Sequence, residues 1–214
     1  MRYRALAADF DGTLAHDGRV DDATWAALIV VSGRVLPDLL ALVPDPALFD
    51  RLVVENGAAL YEPATGVLRA LATPPPDGFV DDLRRRGVGG IQVGHVIVAT
   101  WLPHLDQVHG ALRDWKLDAE VILNKGAVMI LPRGVDKASG LSAALAELAL
   151  PAAEVVAVGD AENDAPLLAL AGLGVAVGNA LPALKARAQL VTRGDHGAGV
   201  VELVERLLGD GDAL

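Results

Sequence analysis

The chain has 214 residues, of which 52% are hydrophobic and 4% aromatic, and it contains no cysteine. This composition disfavours a disordered chain, and it excludes disulfides, thiolate metal sites and a cysteine nucleophile. The net charge of −10 argues against nucleic acid or an anionic membrane surface as the main partner, whereas a small anionic substrate needs only a local positive site.

The length suits one large domain, or one domain with a small insertion. The longest apolar tract, residues 141–158, is interrupted by two glutamates and a proline, so we expect no membrane span. Because the N-terminus leads straight into an apolar strand, we also expect no signal peptide and a cytoplasmic protein.

The first predicted element is a short buried strand that begins at Ala5 and leads to two carboxylates, Asp9 and Asp11. In an open α/β sheet, ligands bind at the carboxyl ends of the strands. If the chain stays extended, both carboxylates point to one side, where they repel unless a cation lies between them or one holds a proton. The pair therefore indicates a hard metal such as Mg²⁺, a carboxylate nucleophile and a general acid/base, and Gly12 permits close approach of an anion. On its own, this stretch is equally consistent with an acidic turn that caps the next element.

A second buried strand is predicted over Leu28–Val31, and it ends at Ser32-Gly33-Arg34. The stretch 22–31 is short for the crossover between parallel strands, so either the crossover is abbreviated or residues are missing from the sequence. The next predicted elements are a helix over 37–43, a strand over 52–55 and, after the hairpin signal Asn56-Gly57, antiparallel segments over 58–62 and 67–72.

The pattern changes after the proline-rich linker 73–77, where helix–strand–strand occurs twice. The predicted helices span 77–86 and 103–115, and the predicted strands span 91–93, 96–101, 120–123 and 127–131. This order predicts a small antiparallel sheet with helices on one face, inserted at 73–134 into a core formed by 1–72 and 135–214. Within the insertion, Asn124-Lys125 is the best candidate for substrate contact, and a simple hairpin turn is the alternative.

The parallel pattern resumes after Asp136-Lys137. A helix is predicted around 141–148, followed by a strand over 155–158 that ends at Gly159–Asp164. The remaining predicted elements are a helix to 170, a strand over 175–177, a helix over 181–188, a strand over 190–191 and a last helix that includes 200–207.

Four polar clusters thus stand at strand ends or helix starts, and together they supply the parts that phosphoryl transfer needs. Ser32 and the Gly33 N–H can donate to a phosphate, Lys137 brings a point charge, and Asp160 can complete a metal site with Asp9. Each cluster alone could be a turn, a surface residue or a helix cap, but their common order after apolar runs favours the catalytic interpretation.

These clusters resemble the motifs of one family. Asp9-Phe10-Asp11-Gly12-Thr13-Leu14 resembles the first motif of the haloacid dehalogenase superfamily of phosphatases, and Val31-Ser32-Gly33-Arg34 resembles the second, which more often has threonine in place of Ser32. Lys137 in Gly134-Val135-Asp136-Lys137 matches the third motif, and Gly159–Asp164 matches the fourth. The resemblance covers the whole chain and implies an α/β fold with a doubly wound, Rossmann-like parallel sheet. The insertion stands where type-IIB (Cof-like) members carry an α+β C2 cap.

The resemblance also implies a role for each matching residue. Asp9 would be the nucleophile of an aspartyl-phosphate intermediate, and Asp11 would protonate the leaving group and then activate water. The implied Mg²⁺ ligands are the Asp9 carboxylate, the Asp11 carbonyl and Asp160, with Asp164 in support or bound through water. The implied phosphate-binding residues are Ser32, Gly33, Lys137 and Asn163, with Arg34 and Asn56 near the substrate.

We therefore predict a Mg²⁺-dependent phosphomonoester hydrolase with a mobile cap, acting as a monomer or homodimer on a small phosphorylated metabolite such as a sugar phosphate or phosphoglycolate. Neither nucleic acid nor a membrane is expected as a partner. Two alternatives are a phosphotransferase or phosphomutase of the same superfamily, and a non-catalytic, receiver-like module that senses phosphate. The sequence leaves open the substrate and the preference for Mg²⁺ over Mn²⁺.

Overall fold

The computed structural model describes residues 3–14 and 28–209. In chain order, its strands are β1 (Ala5–Asp9), β2 (Leu28–Val31), β3 (Phe49–Val54), β4 (Ala59–Glu62), β5 (Val67–Ala70), β6 (Gln92–Val93), β7 (Val98–Trp101), β8 (Ala119–Asn124), β9 (Ala127–Pro132), β10 (Val155–Gly159), β11 (Leu173–Ala176) and β12 (Leu190–Val191). Its α-helices are α1 (Leu36–Leu40), α2 (Phe79–Arg85), α3 (Leu105–Trp115), α4 (Lys137–Glu147), α5 (Ala165–Leu170), α6 (Pro182–Lys185) and α7 (His196–Gly209).

The larger sheet has the strand order β12-β11-β10-β1-β2-β3-β4-β5. Strands β12 to β3 pair in parallel, and β4 and β5 add an antiparallel edge. The chain runs outward from β1 on both sides, so the order reverses beside β1, which is where open α/β sheets bind ligands. Strands β1, β10 and β11 are short runs of mainly Val, Leu and Ala that are covered on both faces, and their side chains belong to the main hydrophobic core, whereas the edge strand β5 is largely exposed. The predicted α/β fold with a parallel sheet is confirmed.

The smaller sheet has the order β6-β7-β9-β8 and is antiparallel throughout. Alternate side chains point to its two faces. Val98, Val128 and Ile130 pack with side chains of α2 and α3 such as Phe79 and Val108. On the opposite face, side chains of the same strands join a separate cluster with residues of the larger sheet's loops; this cluster comprises Val35, Ala58, Val96, Ile97, Met129 and Leu131. The exact division of the chain at 72/73 and 134/135 stays a prediction.

Several predicted bounds differ from the structure. The predicted helix over 37–43 is α1, which spans Leu36–Leu40; the backbone is still helical at its C-cap, Ala41, and Pro44 disfavours helical backbone at Val43. The predicted strand over 52–55 is β3, which begins earlier, at Phe49, and ends at Val54; Glu55, Asn56 and Gly57 form a turn with positive φ angles of 56°, 55° and 104°. Most of the short stretch 22–31 lies outside the described residues, so the prediction about the crossover is not addressed.

Helix α4 begins in a way that places a key residue of the site. Asp136 caps it: its side chain accepts the Ser139 N–H at 2.8 Å, and Ser139 Oγ accepts the Asp136 N–H at 3.0 Å. This capping box fixes Lys137 as the first helical residue.

Among the described helices, none combines the length and the apolar character that a membrane crossing requires.

Candidate active site

Asp9 and Lys137 form a buried ion pair at the carboxyl end of β1. Lys137 Nζ donates to Asp9 Oδ1 at 2.5 Å and also to Asp164 Oδ1. Asp9 and Lys137 are only 3% and 2% exposed, and Asp164 is fully buried. The hydroxyl of Thr13 donates to the other oxygen of Asp9 at 3.3 Å. One buried ammonium thus lies between two buried carboxylates, which leaves uncompensated negative charge at the site.

The charge imbalance affects the ionisation of both partners. Burial, and then the charge of Asp164, raise the pKa of Asp9 to about 8, although the ammonium of Lys137 acts in the opposite direction. Burial opposes the charge of Lys137, but the charges of Asp164 and Asp9 prevail and raise its pKa. A further cation among these carboxylates would relieve their repulsion.

The loop after β10 brings two more carboxylates to Asp9. Asp164 Oδ2 accepts the backbone N–H groups of Asp160 and Ala161, each at 2.9 Å, and so holds the loop in shape. Asp160 Oδ1 is buried and has no hydrogen-bond partner. Burial also raises the pKa of Asp160. Because buried carboxylate oxygens normally have hydrogen-bond partners, Asp160 Oδ1 stands out as an unpaired acceptor.

Oxygen atoms of Asp9, Asp160 and Asp164 lie within 4.8 Å of one another. A set of buried carboxylate oxygens suits a hard divalent cation such as Mg²⁺ or Ca²⁺ rather than a soft metal. Both oxygens of Asp164 already accept hydrogen bonds, whereas Asp160 retains a free one. The residues present thus fit a divalent cation, with Asp9 and Asp160 better placed to bind it directly than Asp164.

Arg34 binds the side chain of Asp11 on the other side of the β1 loop. Its Nε and Nη2 donate to the two carboxylate oxygens of Asp11 at 2.7 Å each. These bonds raise the pKa of Arg34. The planar guanidinium fixes the orientation of a carboxylate in this two-bond arrangement.

The loops after β2 and β3 bring polar groups with unused hydrogen-bonding capacity. Ser32 is fully buried, and its Oγ accepts the Arg34 N–H at 3.1 Å. Asn163 Nδ2 donates to Asn56 Oδ1 at 3.0 Å, and the Asn56 N–H donates to the Ser32 carbonyl at 2.9 Å. Asn56 Nδ2 is buried without a partner. Since an amide NH₂ donates two bonds, it is free to serve an anionic oxygen.

A lysine from the smaller sheet completes the set. Lys125 Nζ donates to Asp160 Oδ2 and to the Asp11 carbonyl, each at 3.0 Å. With this link, hydrogen bonds connect all of the predicted site residues except Gly33, which stands in the chain between two of them, Ser32 and Arg34. The roles assigned to these residues stay predictions.

Comparisons with known proteins identify the family of the chain. A model of the haloacid dehalogenase-like hydrolases matches residues 96–204. A phosphoglycolate phosphatase of Haloarcula marismortui is 34% identical over 215 residues, which cover 93% of this chain and 95% of the relative. The chain belongs to the haloacid dehalogenase-like hydrolases. A phosphoglycolate phosphatase of Methanothermobacter thermautotrophicus is 29% identical and covers 96% of this chain and 99% of its own length.

Solved structures of such hydrolases share the fold. A haloacid dehalogenase-like hydrolase from Bacteroides thetaiotaomicron superposes with a TM-score of 0.80 at 20% identity, covering 96% of this chain and 99% of its own. A sugar phosphatase of subclass IIB superposes with a TM-score of 0.72 at 18% identity, covering 96% and 99%. The predicted family and its phosphatase class are confirmed, and haloacid dehalogenase-like hydrolases generally use a divalent metal.

Sequence reasoning missed three residues of this hydrolase that support the site. Asn179 Nδ2 donates to the Gly12 carbonyl at 2.8 Å, and His196 Nδ1 lies 2.8 Å from the same oxygen, so both hold the loop between Asp11 and Thr13. Glu55 accepts three backbone N–H groups of the loop between β6 and β7. The Gly178-Asn179 turn and the Glu55-Asn56-Gly57 stretch were visible in the sequence, but nothing local indicated these distant partners.

Proposed function

We propose that this hydrolase is a Mg²⁺-dependent phosphomonoesterase that acts on a small phosphorylated acid or sugar through an aspartyl-phosphate intermediate. The observation that carries the proposal is the buried Asp9 at the end of β1, with Lys137, Asp160 and Asp164 around it. Two relatives that align over almost the whole chain are named phosphoglycolate phosphatases, so 2-phosphoglycolate is the first substrate to test.

Asp9 acts as the nucleophile in this proposal. One of its carboxylate oxygens attacks phosphorus, forming a new O–P bond while the ester P–O bond breaks, and Asp11 gives a proton to the departing alkoxide. The Asp11 carboxylate then takes a proton from water, whose oxygen attacks the same phosphorus. This second displacement releases inorganic phosphate and restores Asp9.

The other site residues bind and orient. Lys137 is close enough to place a positive charge beside both Asp9 and a transferring phosphoryl group. The hydroxyl of Ser32, the N–H of Gly33 and the amides of Asn56 and Asn163 are the proposed phosphate donors. Arg34 holds Asp11 through two hydrogen bonds and is proposed to contact the substrate from the side of β2.

The proposed metal ligands are the Asp9 carboxylate, the Asp11 carbonyl and Asp160, with Asp164 holding the loop. When bound there, Mg²⁺ would neutralise negative charge on the phosphoryl oxygens. We further propose that residues 73–134 act as a cap that covers the substrate and excludes bulk water.

The test is phosphate release from a panel containing 2-phosphoglycolate and several sugar phosphates, with Mg²⁺, with Mn²⁺ and with a chelator. The expected result is release that needs a divalent cation, is lost in Asp9→Asn and is retained in Asp118→Asn, a matched change on an exposed aspartate that pairs with Arg133. Rapid quenching should trap a phosphoenzyme in the wild type and none in Asp9→Asn.

Release that persists in Asp9→Asn would show that another group is the nucleophile. Phosphate that appears only on an added sugar acceptor, and never as inorganic phosphate, would favour a phosphotransferase or mutase. A stable phosphoenzyme without turnover of any compound would favour the receiver-like alternative.

A further inference from the structure

Lys125 lies at the tip of the β8–β9 hairpin, in an unusual backbone conformation. The hairpin closes over two residues, Lys125 and Gly126, which have φ angles of 48° and 87°. Two positive φ angles are typical of a type I′ turn, whose first position favours asparagine, aspartate or glycine. This backbone conformation disfavours lysine, so any advantage of lysine at this position comes from the contacts of its side chain.

The side chain of Lys125 crosses from the smaller sheet to the larger one. Its Nζ lies 3.0 Å from Asp160 Oδ2 and 3.0 Å from the Asp11 carbonyl oxygen. Residue 12 has to be glycine for this approach, because a Cβ at Gly12 would lie 2.3 Å from Asp160 Oδ2 and 3.0 Å from Lys125 Nζ. The contact is therefore closely packed, although half of the lysine side chain is exposed.

The two groups that bind Lys125 are two of the three groups proposed to bind Mg²⁺. An ammonium ion donates hydrogen bonds to these oxygens, and Mg²⁺ would bind them at about 2.1 Å. A monovalent and a divalent cation that share the same two groups repel each other strongly at such short range.

We propose that Lys125 and the divalent cation compete for Asp160 and the Asp11 carbonyl, so that binding of the metal releases the tip of the hairpin from the core. The inference rests on the proposed function, because it requires the metal site proposed there. It assigns Lys125 a positioning role: in the metal-free enzyme its ammonium replaces the cation and fastens the β8–β9 hairpin over the site.

A different arrangement is geometrically open. The cation could bind the free Oδ1 of Asp160 while Lys125 stays on Oδ2. In that case Lys125 would help to orient Asp160, and its removal would weaken metal binding or leave it unchanged. Competition predicts that removal of Lys125 strengthens metal binding, so the measured change in affinity distinguishes the two arrangements.

The experiment is calorimetric titration of the metal-free protein with MgCl₂, without substrate. We expect Lys125→Met to bind Mg²⁺ about two- to fivefold more tightly than the wild type, because the metal then no longer has to displace a half-exposed ion pair. The matched control is Lys116→Met: Lys116 also belongs to the insertion and also has a positive φ, 52°, but follows α3. Its Mg²⁺ affinity should equal that of the wild type.

Equal or weaker binding by Lys125→Met would overturn the competition. Asp160→Asn separates this failure from failure of the metal site itself. If Asp160→Asn binds Mg²⁺ as well as the wild type, or if the wild type and Lys125→Met both bind none, the proposed site is wrong and the competition falls with it. If Asp160→Asn weakens binding but Lys125→Met does not strengthen it, the site stands and only the competition is wrong.

Amine labelling with a small acylating reagent, quantified by mass spectrometry, gives a second readout within one protein. Adding Mg²⁺ should increase labelling of Lys125 relative to Lys116, because the ammonium leaves its two partners. The increase should be absent in Asp160→Asn. An unchanged ratio in the wild type at saturating Mg²⁺ would contradict the release of the hairpin.

Discussion

Arg34 binds the carboxylate of Asp11 through two parallel hydrogen bonds of 2.7 Å, one to each oxygen. The two residues stand 23 positions apart, at the ends of the neighbouring parallel strands β1 and β2. The carboxylate proposed to move protons is thus held in one orientation by a rigid, planar partner.

Replacing Arg34 by lysine should lower kcat/KM for the preferred phosphate ester by about 10- to 100-fold. Lysine keeps the positive charge that attracts the substrate, but it cannot make two parallel bonds, so Asp11 loses its orientation. Steady-state kinetics would measure the loss. Arg51→Lys is the matched control, since Arg51 on β3 binds Glu62 and Glu147 instead. Equal activity of Arg34→Lys and the wild type would contradict the positioning role.

Lys137→Met should lower the free energy of unfolding by about 3–5 kcal/mol in the presence of a chelator. The change leaves the buried carboxylates of Asp9 and Asp164 without their ammonium partner. Mg²⁺ should restore part of the loss, because it supplies positive charge to the same carboxylates. Urea unfolding with and without Mg²⁺ measures both effects, with Lys116→Met as the control for loss of an exposed lysine. A Lys137→Met protein as stable as the wild type would show that the ammonium is not needed to balance the site.

Local patterns predicted most of the fold. Runs such as Leu28–Val31 and Val155–Gly159 are short, apolar and rich in valine, and glycine or proline lies near their ends, which favours buried strands over helices. The polar residues that follow them had to meet at one edge, because parallel strands place their carboxyl ends together. For this reason the order of the motifs predicted that these residues come together, whereas their roles stay predictions.

The links between the two sheets could not be predicted in this way. Lys125 binds the Asp11 carbonyl across 114 positions, and Glu55 binds the amide of Ile97 across 42. Such contacts depend on how the smaller sheet packs on the larger one. Local sequence patterns predict helices and strands, but they do not predict this packing. The turn considered at Asn124-Lys125 is present between β8 and β9, but the sequence did not indicate which groups Lys125 would bind.

Glu147 predicts a pH dependence of stability. It lies at the end of α4 and binds Arg51 at 2.9 Å and also Arg69, and these bonds lower its pKa. Since its pKa is lower in the folded than in the unfolded state, the stabilisation is present above the unfolded value of about 4.5 and is lost as the pH falls through the folded value.

Glu147→Gln should therefore reduce the free energy of unfolding at pH 7 by at most about 1 kcal/mol, because the side chain is one-third exposed. The difference from the wild type should shrink as the pH falls from 7 towards 3, because protonation of Glu147 removes the charge that glutamine also lacks. Denaturant unfolding at the two pH values measures it, and Glu205→Gln on the exposed side of α7 controls for loss of a surface charge. A difference that grows as the pH falls would have the wrong sign for this ion pair.

Glu55 connects the larger sheet to the smaller one. Its buried carboxylate accepts the N–H groups of His95, Val96 and Ile97 at 2.6, 2.8 and 2.9 Å. Gly94 lies so close that a Cβ there would be 2.5 Å from Glu55 Oε1. This arrangement requires that both side-chain oxygens of residue 55 accept hydrogen bonds and that residue 94 has no side chain.

Glu55→Gln should lower the free energy of unfolding by about 1–3 kcal/mol, because the amide NH₂ turns a donor toward backbone N–H groups that need an acceptor. Hydrogen exchange should become faster at residues 95–97 and stay unchanged in β1 and β10. Gly94→Ala should produce the same local change by displacing the carboxylate. Glu120→Gln is the control, since Glu120 is more exposed and accepts one backbone N–H, that of Gly134. If exchange at 95–97 is as slow in Glu55→Gln as in the wild type, the loop is held by burial of its own side chains Val96 and Ile97 rather than by the carboxylate.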